Sequence, residues 1–205
     1  MIAIIDYGAG NIESVRKAFE YIGAEVVLTS DPEVLMNSDA AVLPGVGSFG
    51  DAMDNIKKRG LLEPIKNFAA SGKPFLGICL GLQILFESSE ESPGVEGLGI
   101  LKGKIVRIPG GEGLKIPHMG WNSLEFKEEG DLFEGIENGA YVYFVHSYYL
   151  KSEEDIVSTV AKYGVEIHAS VHKGNVRACQ FHPEKSGATG IKILKNFVKK
   201  VEEGK

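Results

Sequence analysis

The sequence predicts an α/β fold: an open, mostly parallel sheet flanked by helices, with extra antiparallel strands in the second half. Three observations carry this prediction. Short apolar runs alternate with helical periodicity through the first half of the chain. Those runs lack polar alternation, as strands covered on both faces do. After Gly94 the pattern turns to period-two strands separated by Gly or Asn turns.

Taken in order, residues 2–6 form an apolar run that breaks at Tyr7-Gly8-Ala9-Gly10, and Asn11 is placed to cap a helix carrying Val15, Phe19 and Ile22. The Gly-x-Gly has no third glycine at the required offset, so it is read as a turn and not as a phosphate loop. Residues 25–29 and 40–43 read as strands, the second stopping at Pro44-Gly45-Val46-Gly47. Helical stretches follow at 51–58 and 61–70, then a continuous apolar strand at 74–78 and a helix at 82–87. In the second half, 104–108, 121–126, 141–150, 156–161, 167–171 and 176–181 are strand-like, and 191–201 closes the chain as an amphipathic helix. No repeat or composition break divides residues 1–205, so one domain is expected.

Composition narrows the function. With 43% hydrophobic and 24% charged residues among 205, the chain is neither disordered, collagen-like nor a disulfide scaffold. Its 28 acidic against 22 basic residues give a net charge of −6. No Lys/Arg cluster supplies the counter-charge of a phosphate backbone, so nucleic acid is not expected as a partner. The longest apolar run, 76–86, is interrupted by Gln83 and is too short for a bilayer. No basic region precedes the first apolar stretch and no cleavage site follows it, so a cytoplasmic protein is expected. Cys79 and Cys179 are then expected as reduced thiols. His118, His146, His168 and His172 lack metal-ligand spacing, and neither metal nor cofactor is expected. His168 and His172 are read as solvated.

Chemistry concentrates in three segments. The run Gly77-Ile78-Cys79-Leu80-Gly81 joins a buried strand to a helix, the cysteine version of a nucleophile elbow. A lone cysteine is most often a buried structural thiol; two flanking glycines at a strand-to-helix junction reverse that expectation. A following helix N-terminus favours thiolate over thiol, whose free pKa is about 8.5. The Leu80 amide would face a developing oxyanion. The second segment is Phe181-His182-Pro183-Glu184, in which extended chain puts Glu184 on the same side as His182, able to orient the imidazole. Cys79, His182 and Glu184 thus form a candidate triad. The third is Pro44-Gly45-Val46-Gly47, whose turn reaches the same carboxyl edge of the sheet, where Val46 could add a second oxyanion donor.

The segments 44–50, 77–83 and 181–186 (Pro-Gly-Val-Gly-Ser-Phe-Gly, Gly-Ile-Cys-Leu-Gly-Leu-Gln and Phe-His-Pro-Glu-Lys-Ser) resemble the class I glutamine amidotransferases, a flavodoxin-like family. Within it, 116–122 (Ile-Pro-His-Met-Gly-Trp-Asn) and 143–148 (Tyr-Phe-Val-His-Ser-Tyr) are similar to the glutaminase subunits of imidazole glycerol phosphate synthases. The resemblance covers nearly the whole chain, in order. It implies that Cys79 attacks the glutamine amide, His182 shuttles the proton and Glu184 orients His182. It implies an oxyanion hole from the Val46 and Leu80 amides, the former turned away in the resting enzyme until the partner's ligand binds. Gly45, Gly47, Gln83, Ser147 and Tyr148 would surround the substrate. Ammonia would pass to a (β/α)8 cyclase subunit docked at Trp121, Asn122, Tyr143 and Lys185. Two other readings compete: a glutaminase serving a different synthase, and a non-catalytic binding module of the same fold.

Overall fold

The computed structural model describes residues 1–128 and 130–204. In chain order its elements are β1 (Ile2–Ile5), α1 (Ile12–Tyr21), β2 (Val26–Thr29), α2 (Pro32–Asn37), β3 (Ala40–Leu43), α3 (Phe49–Lys58), α4 (Leu62–Ala70), β4 (Phe75–Ile78) and α5 (Leu80–Ile84). The second half adds β5 (Ser88–Ser89), β6 (Gly103–Arg107), β7 (His118–Ser123), β8 (Glu125–Phe126), β9 (Tyr141–His146), β10 (Tyr148–Ser152), β11 (Val157–Tyr163), β12 (Val165–Lys173), β13 (Val176–Cys179) and α6 (Gly187–Glu203).

Eight strands form one sheet in the order β2-β1-β3-β4-β13-β12-β11-β8. The first five run parallel and the last three join antiparallel. This is the flavodoxin-like order, extended at one edge by the antiparallel strands that the second half predicts. Both faces are buried. On β1, Ile2 and Ile4 pack with Val15, Phe19 and Phe197, while Ala3 and Ile5 pack with Leu35, Met53 and Phe68. Unbroken apolar runs are what such a two-sided burial requires. Smaller sheets, β10-β6-β5 and the β7-β9 ribbon, flank the carboxyl end. Among the described residues no helix is long and apolar enough to cross a membrane.

Three expectations change. The run 141–150 is two strands: β9 pairs with β7, whereas β10 pairs with β6, and the chain changes sheet at Ser147. The run 121–126 likewise splits at buried Leu124 into β7 and β8, which join different sheets. Neither run contains a glycine or proline to mark its bend, so the sequence pattern alone does not show it. Helix α2 adds to the expected elements, starting at Asp31-Pro32, where Asp31 accepts from the Glu33 amide at 2.8 Å. Leu35 is its one fully buried side chain, too little to make an apolar stripe.

Candidate functional site

The loops after β1, β3, β4 and β13 converge at the carboxyl edge of the parallel strands. Among the described residues two non-glycine residues hold a positive φ, Asn11 (68°) and Cys79 (54°), and both stand there. For Cys79, with ψ at −109°, this is the strained backbone expected at an elbow. Its amide donates to the Cys179 carbonyl at 2.8 Å, and its own carbonyl accepts from Leu82 and Gln83, starting α5. The flanking glycines work by close approach and not by flexibility. A Cβ on Gly81 would lie 1.8 Å from the Leu43 carbonyl oxygen, and one on Gly77 would meet the Gly81 carbonyl at 3.0 Å. The strain falls on the nucleophile candidate, while its neighbours let strand, helix and loop touch.

His182 and Glu184 are brought together as the sequence suggests, by a different geometry. His182 is extended, but Pro183–Lys185 is a turn of 3-10 helix that curls the carboxylate back to the ring. Nδ1 of His182 donates to Glu184 Oε1 at 2.7 Å, with both side chains buried. Burial opposes charging the imidazole, yet hydrogen bonding toward Cys79 and Glu184 outweighs it and raises the His182 pKa to about 10. The pull of Cys79 acts across a loosely aligned contact, since Nε2 makes no hydrogen bond of normal geometry; catalytic contacts often tighten only around substrate. The arrangement favours imidazolium beside sulfur.

Asn11 does not cap α1. It sits at the N-cap position in left-handed backbone without a capping bond, and its Nδ2 donates to Glu184 Oε1 at 2.6 Å. Ser186 ties the same turn to β9: its hydroxyl donates to the His182 carbonyl at 2.6 Å and accepts from the Tyr143 amide at 2.9 Å. The His182 amide in turn donates to the Tyr143 carbonyl.

A pocket of about 320 Å³ opens beside Cys79, lined by Val46, Gly47, Leu80, Gln83, Glu91, Pro117, Val145, His146, Ser147 and Tyr148 as well as Cys79 itself. That is the small end of ligand-site volumes, suited to an amino acid more than to a polymer. Gly45, His182 and Glu184 lie behind this surface and do not line it. Glu91 went unpredicted; it is the one carboxylate of the lining, and its Oε2 accepts from the Phe49 amide at 2.7 Å. No spacing rule connects it to the triad, because it arrives from the loop after β5. Neither candidate oxyanion donor is poised. The Leu80 amide is taken by the Gly45 carbonyl at 3.3 Å. In a trans peptide the carbonyl and the following amide point oppositely, so the Val46 N–H is directed away from Leu80. Tyr7 holds this loop from below through a 2.9 Å bond from its hydroxyl to the Pro44 carbonyl, and burial pushes that hydroxyl's pKa up.

Polar contacts run inward from the β7-β9 ribbon. His146 Nδ1 must donate to the Tyr148 carbonyl (2.8 Å), which leaves its Nε2 to accept from His118 Nδ1 (2.9 Å). His118 Nε2 then accepts from Asn122, whose carboxamide also donates to the Lys162 carbonyl. Burial lowers the pKa of His118 to about 4 and that of His146 to about 3, so both rings are neutral. The same Tyr148 carbonyl accepts from Gln83 Nε2 at 3.1 Å. Gln83 also donates to Gln180 Oε1 at 2.9 Å, and Gln180 Nε2 reaches Cys79 Sγ at 3.7 Å. His168 is not solvated as expected: it is half-buried and accepts from the Ser152 amide at 3.2 Å. Outside the pocket, Trp121 is 55% exposed, with Met119 and Tyr141 also exposed on the outer face of the ribbon, and Tyr143 meets Trp121 edge-on at 6.1 Å. Lys185 is exposed on the adjoining turn.

A cysteine held at positive φ on a strand-to-helix elbow, beside a buried His-Glu pair in an open parallel sheet, defines a cysteine-dependent acyl-transfer class. A model of the family described as glutamine amidotransferase class-I matches residues 3–201, and the chain belongs to that family. It is 55% identical over 198 residues to the "Imidazole glycerol phosphate synthase subunit HisH" of Caldanaerobacter subterraneus subsp. tengcongensis, covering 96% of this chain and 97% of that relative. It is 54% identical to the protein of the same description from Methanothermobacter thermautotrophicus, covering 97% and 98%. Among solved structures, a glutamine amidotransferase superposes with a TM-score of 0.77 at 19% identity, covering 98% of this chain and all of that one. PurLQS from Thermotoga maritima superposes at 0.74 with 23% identity, covering 97% of each. Both structures bear on the fold alone.

Proposed function

We infer that this chain is the glutaminase subunit of an imidazole glycerol phosphate synthase, hydrolysing glutamine to glutamate and ammonia for histidine biosynthesis, and that residues 1–205 act as one glutamine amidotransferase type 1 domain. The reaction rests on one observation: Cys79 on its strained elbow, with His182 charged beside it and Glu184 fixing the ring. Identities of 54–55% over nearly the full length support the particular synthase.

Cys79 Sγ, as thiolate, forms a bond to the side-chain amide carbon, and the carbonyl π pair moves to oxygen. His182 Nε2 gives its proton to the amide nitrogen, the C–N bond breaks, and ammonia leaves a glutamyl thioester. Water then loses a proton to His182, attacks the thioester and releases glutamate, returning the thiolate. Glu91 supplies negative charge for the substrate ammonium. Gln83, with its N–H groups committed, offers its Oε1 to a donor on the ligand. Gly47, Ser147 and Tyr148 complete the wall, and Gly45, behind it, acts through its carbonyl on the Leu80 amide. Rotation of the Gly45–Val46 peptide would release the Leu80 amide and turn the Val46 amide inward together, giving the two donors an oxyanion needs.

Ammonia loses its nucleophilicity once protonated in water, so a sheltered exit is needed, and a (β/α)8 cyclase subunit would provide it. The exposed face carrying Trp121 and Tyr143, with Lys185 beside it and Asn122 bracing the ribbon from within, suits that partner. The test is glutamate release by the purified chain, alone and with a cyclase subunit and its nucleotide ligand. Strong stimulation by the pair is expected, with no activity in Cys79→Ala. Full activity in pure Cys79→Ala protein would overturn the assignment.

A further inference from the structure

We propose that Gln180 is a catalytic residue of this glutaminase, its side-chain N–H holding the Cys79 sulfur as thiolate and aiming it at the substrate carbon. The inference rests on the reading of Cys79 as nucleophile. Gln180 is fully buried two residues before His182, and its Nε2 lies 3.7 Å from Cys79 Sγ, a normal N–H···S separation.

Which end of the carboxamide meets sulfur is decided by a backbone group. The Tyr148 carbonyl can only accept, so Gln83 must turn its Nε2 toward it (3.1 Å). The second hydrogen of that same nitrogen goes to Gln180 at 2.9 Å, which makes the facing Gln180 atom Oε1 and leaves Nε2 toward sulfur. Reversing Gln83 would set its oxygen against the Tyr148 carbonyl, and reversing Gln180 would set two NH2 groups against each other. A fully buried amide fixed in this way cannot satisfy its N–H on water. It donates to sulfur, and donates best when sulfur is negative.

Other groups around Cys79 do not take this role. His182 approaches from the turn after β13 as the proton acceptor and becomes the cation. Tyr7, from the end of β1, and Cys179, on β13, are kept neutral by burial, and Cys179 gives its own S–H to the Phe181 carbonyl. Glu184 acts through His182. Gln180 is thus the neutral side-chain donor to this sulfur: it stabilises the thiolate without taking its charge. Until Sγ forms the S–C bond and its negative charge passes to the substrate oxygen, the N–H···S bond keeps a larger fraction of the sulfur ionised and fixes its line of attack.

The experiment is the pH dependence of Cys79 alkylation by iodoacetamide in the full-length chain, followed by peptide mass spectrometry to separate Cys79 from Cys179. Glutaminase kinetics are measured in parallel on the complex with the cyclase subunit. A hydrogen bond to a charged group is worth about 1.5–3 kcal/mol, or roughly one to two pH units. Gln180→Met, which keeps the volume and loses the N–H, should raise the alkylation midpoint by about one pH unit and lower kcat about ten-fold with less change in KM. Gln180→Glu should raise the midpoint further, by placing a carboxylate against sulfur. Gln83→Leu leaves Gln180 in place without its orienting partner and should give a smaller upward move, which covers the case of a Gln180 variant that does not fold. Midpoints equal to wild type in folded variants would overturn the proposal. Failure of wild-type Cys79 to react with a glutamine-like electrophile would instead overturn its reading as nucleophile.

Discussion

Asn11 separates a backbone role from a chemical one. Its φ of 68° costs an alanine about 1–2 kcal/mol, and a glycine nothing. Its Nδ2 bond to Glu184, at 2.6 Å on a buried carboxylate, is worth about 1.5–3 kcal/mol. If that bond holds Glu184 against His182 through the transition state, its loss lowers kcat/KM about ten- to hundred-fold. Asn11→Gly should therefore lose that activity with a stability loss no larger than the bond itself, because glycine holds this φ without strain. Asn11→Ala should lose the same activity and a further 1–2 kcal/mol or so of stability. The assay is glutamate release by the complex with the cyclase subunit, paired with guanidinium unfolding of each variant. The reasoning fails if Asn11→Gly keeps more than half of the wild-type kcat/KM, for then the residue serves only its backbone.

Three more outcomes follow from the geometry. Trp121→Ala should weaken cyclase-subunit binding by about 2 kcal/mol, roughly thirty-fold by titration calorimetry, with an unchanged Tm; unchanged affinity removes Trp121 from the interface. His118 and His146 have folded pKa values near 4 and 3, below their unfolded values, so the stability they contribute is present above about pH 6.5 and is lost as pH falls toward 4 and 3. Urea unfolding between pH 7.5 and 4.5 should show that loss, and His146→Gln should shrink it; parallel pH profiles would contradict the neutral pair. Gly81→Ala should destabilise by about 3 kcal/mol or more, since its Cβ meets backbone at Leu43 and not a movable side chain; a Tm within a degree of wild type would refute the close approach.

The sheet was legible where physics is local. Apolar strands without alternation announced a two-sided parallel core, and Cys79 between Gly77 and Gly81 announced the elbow. His182 and Glu184 were paired from spacing, though a 3-10 turn and not extended chain brings them together. What stayed hidden depends on distant packing. Asn11 looks like a cap from sequence because nothing local reveals Glu184, 173 residues away, as the acceptor. Gln180 carried one usable signal, its position two residues before His182. Glu91 carried none.

The Gly45–Val46 peptide has a thermodynamic consequence. The carbonyl that occupies the Leu80 amide and the amide that would join it belong to one rigid plane, so occupied and ready arrangements exclude each other. The loop is therefore a two-position switch, and any activator sets how many molecules are ready, never how ready each one is. To move such a switch from one part in a hundred to ninety-nine, an activator must favour the ready form by about 5.5 kcal/mol. Weak activators should then raise kcat in proportion to population while leaving the reactivity of each ready molecule the same.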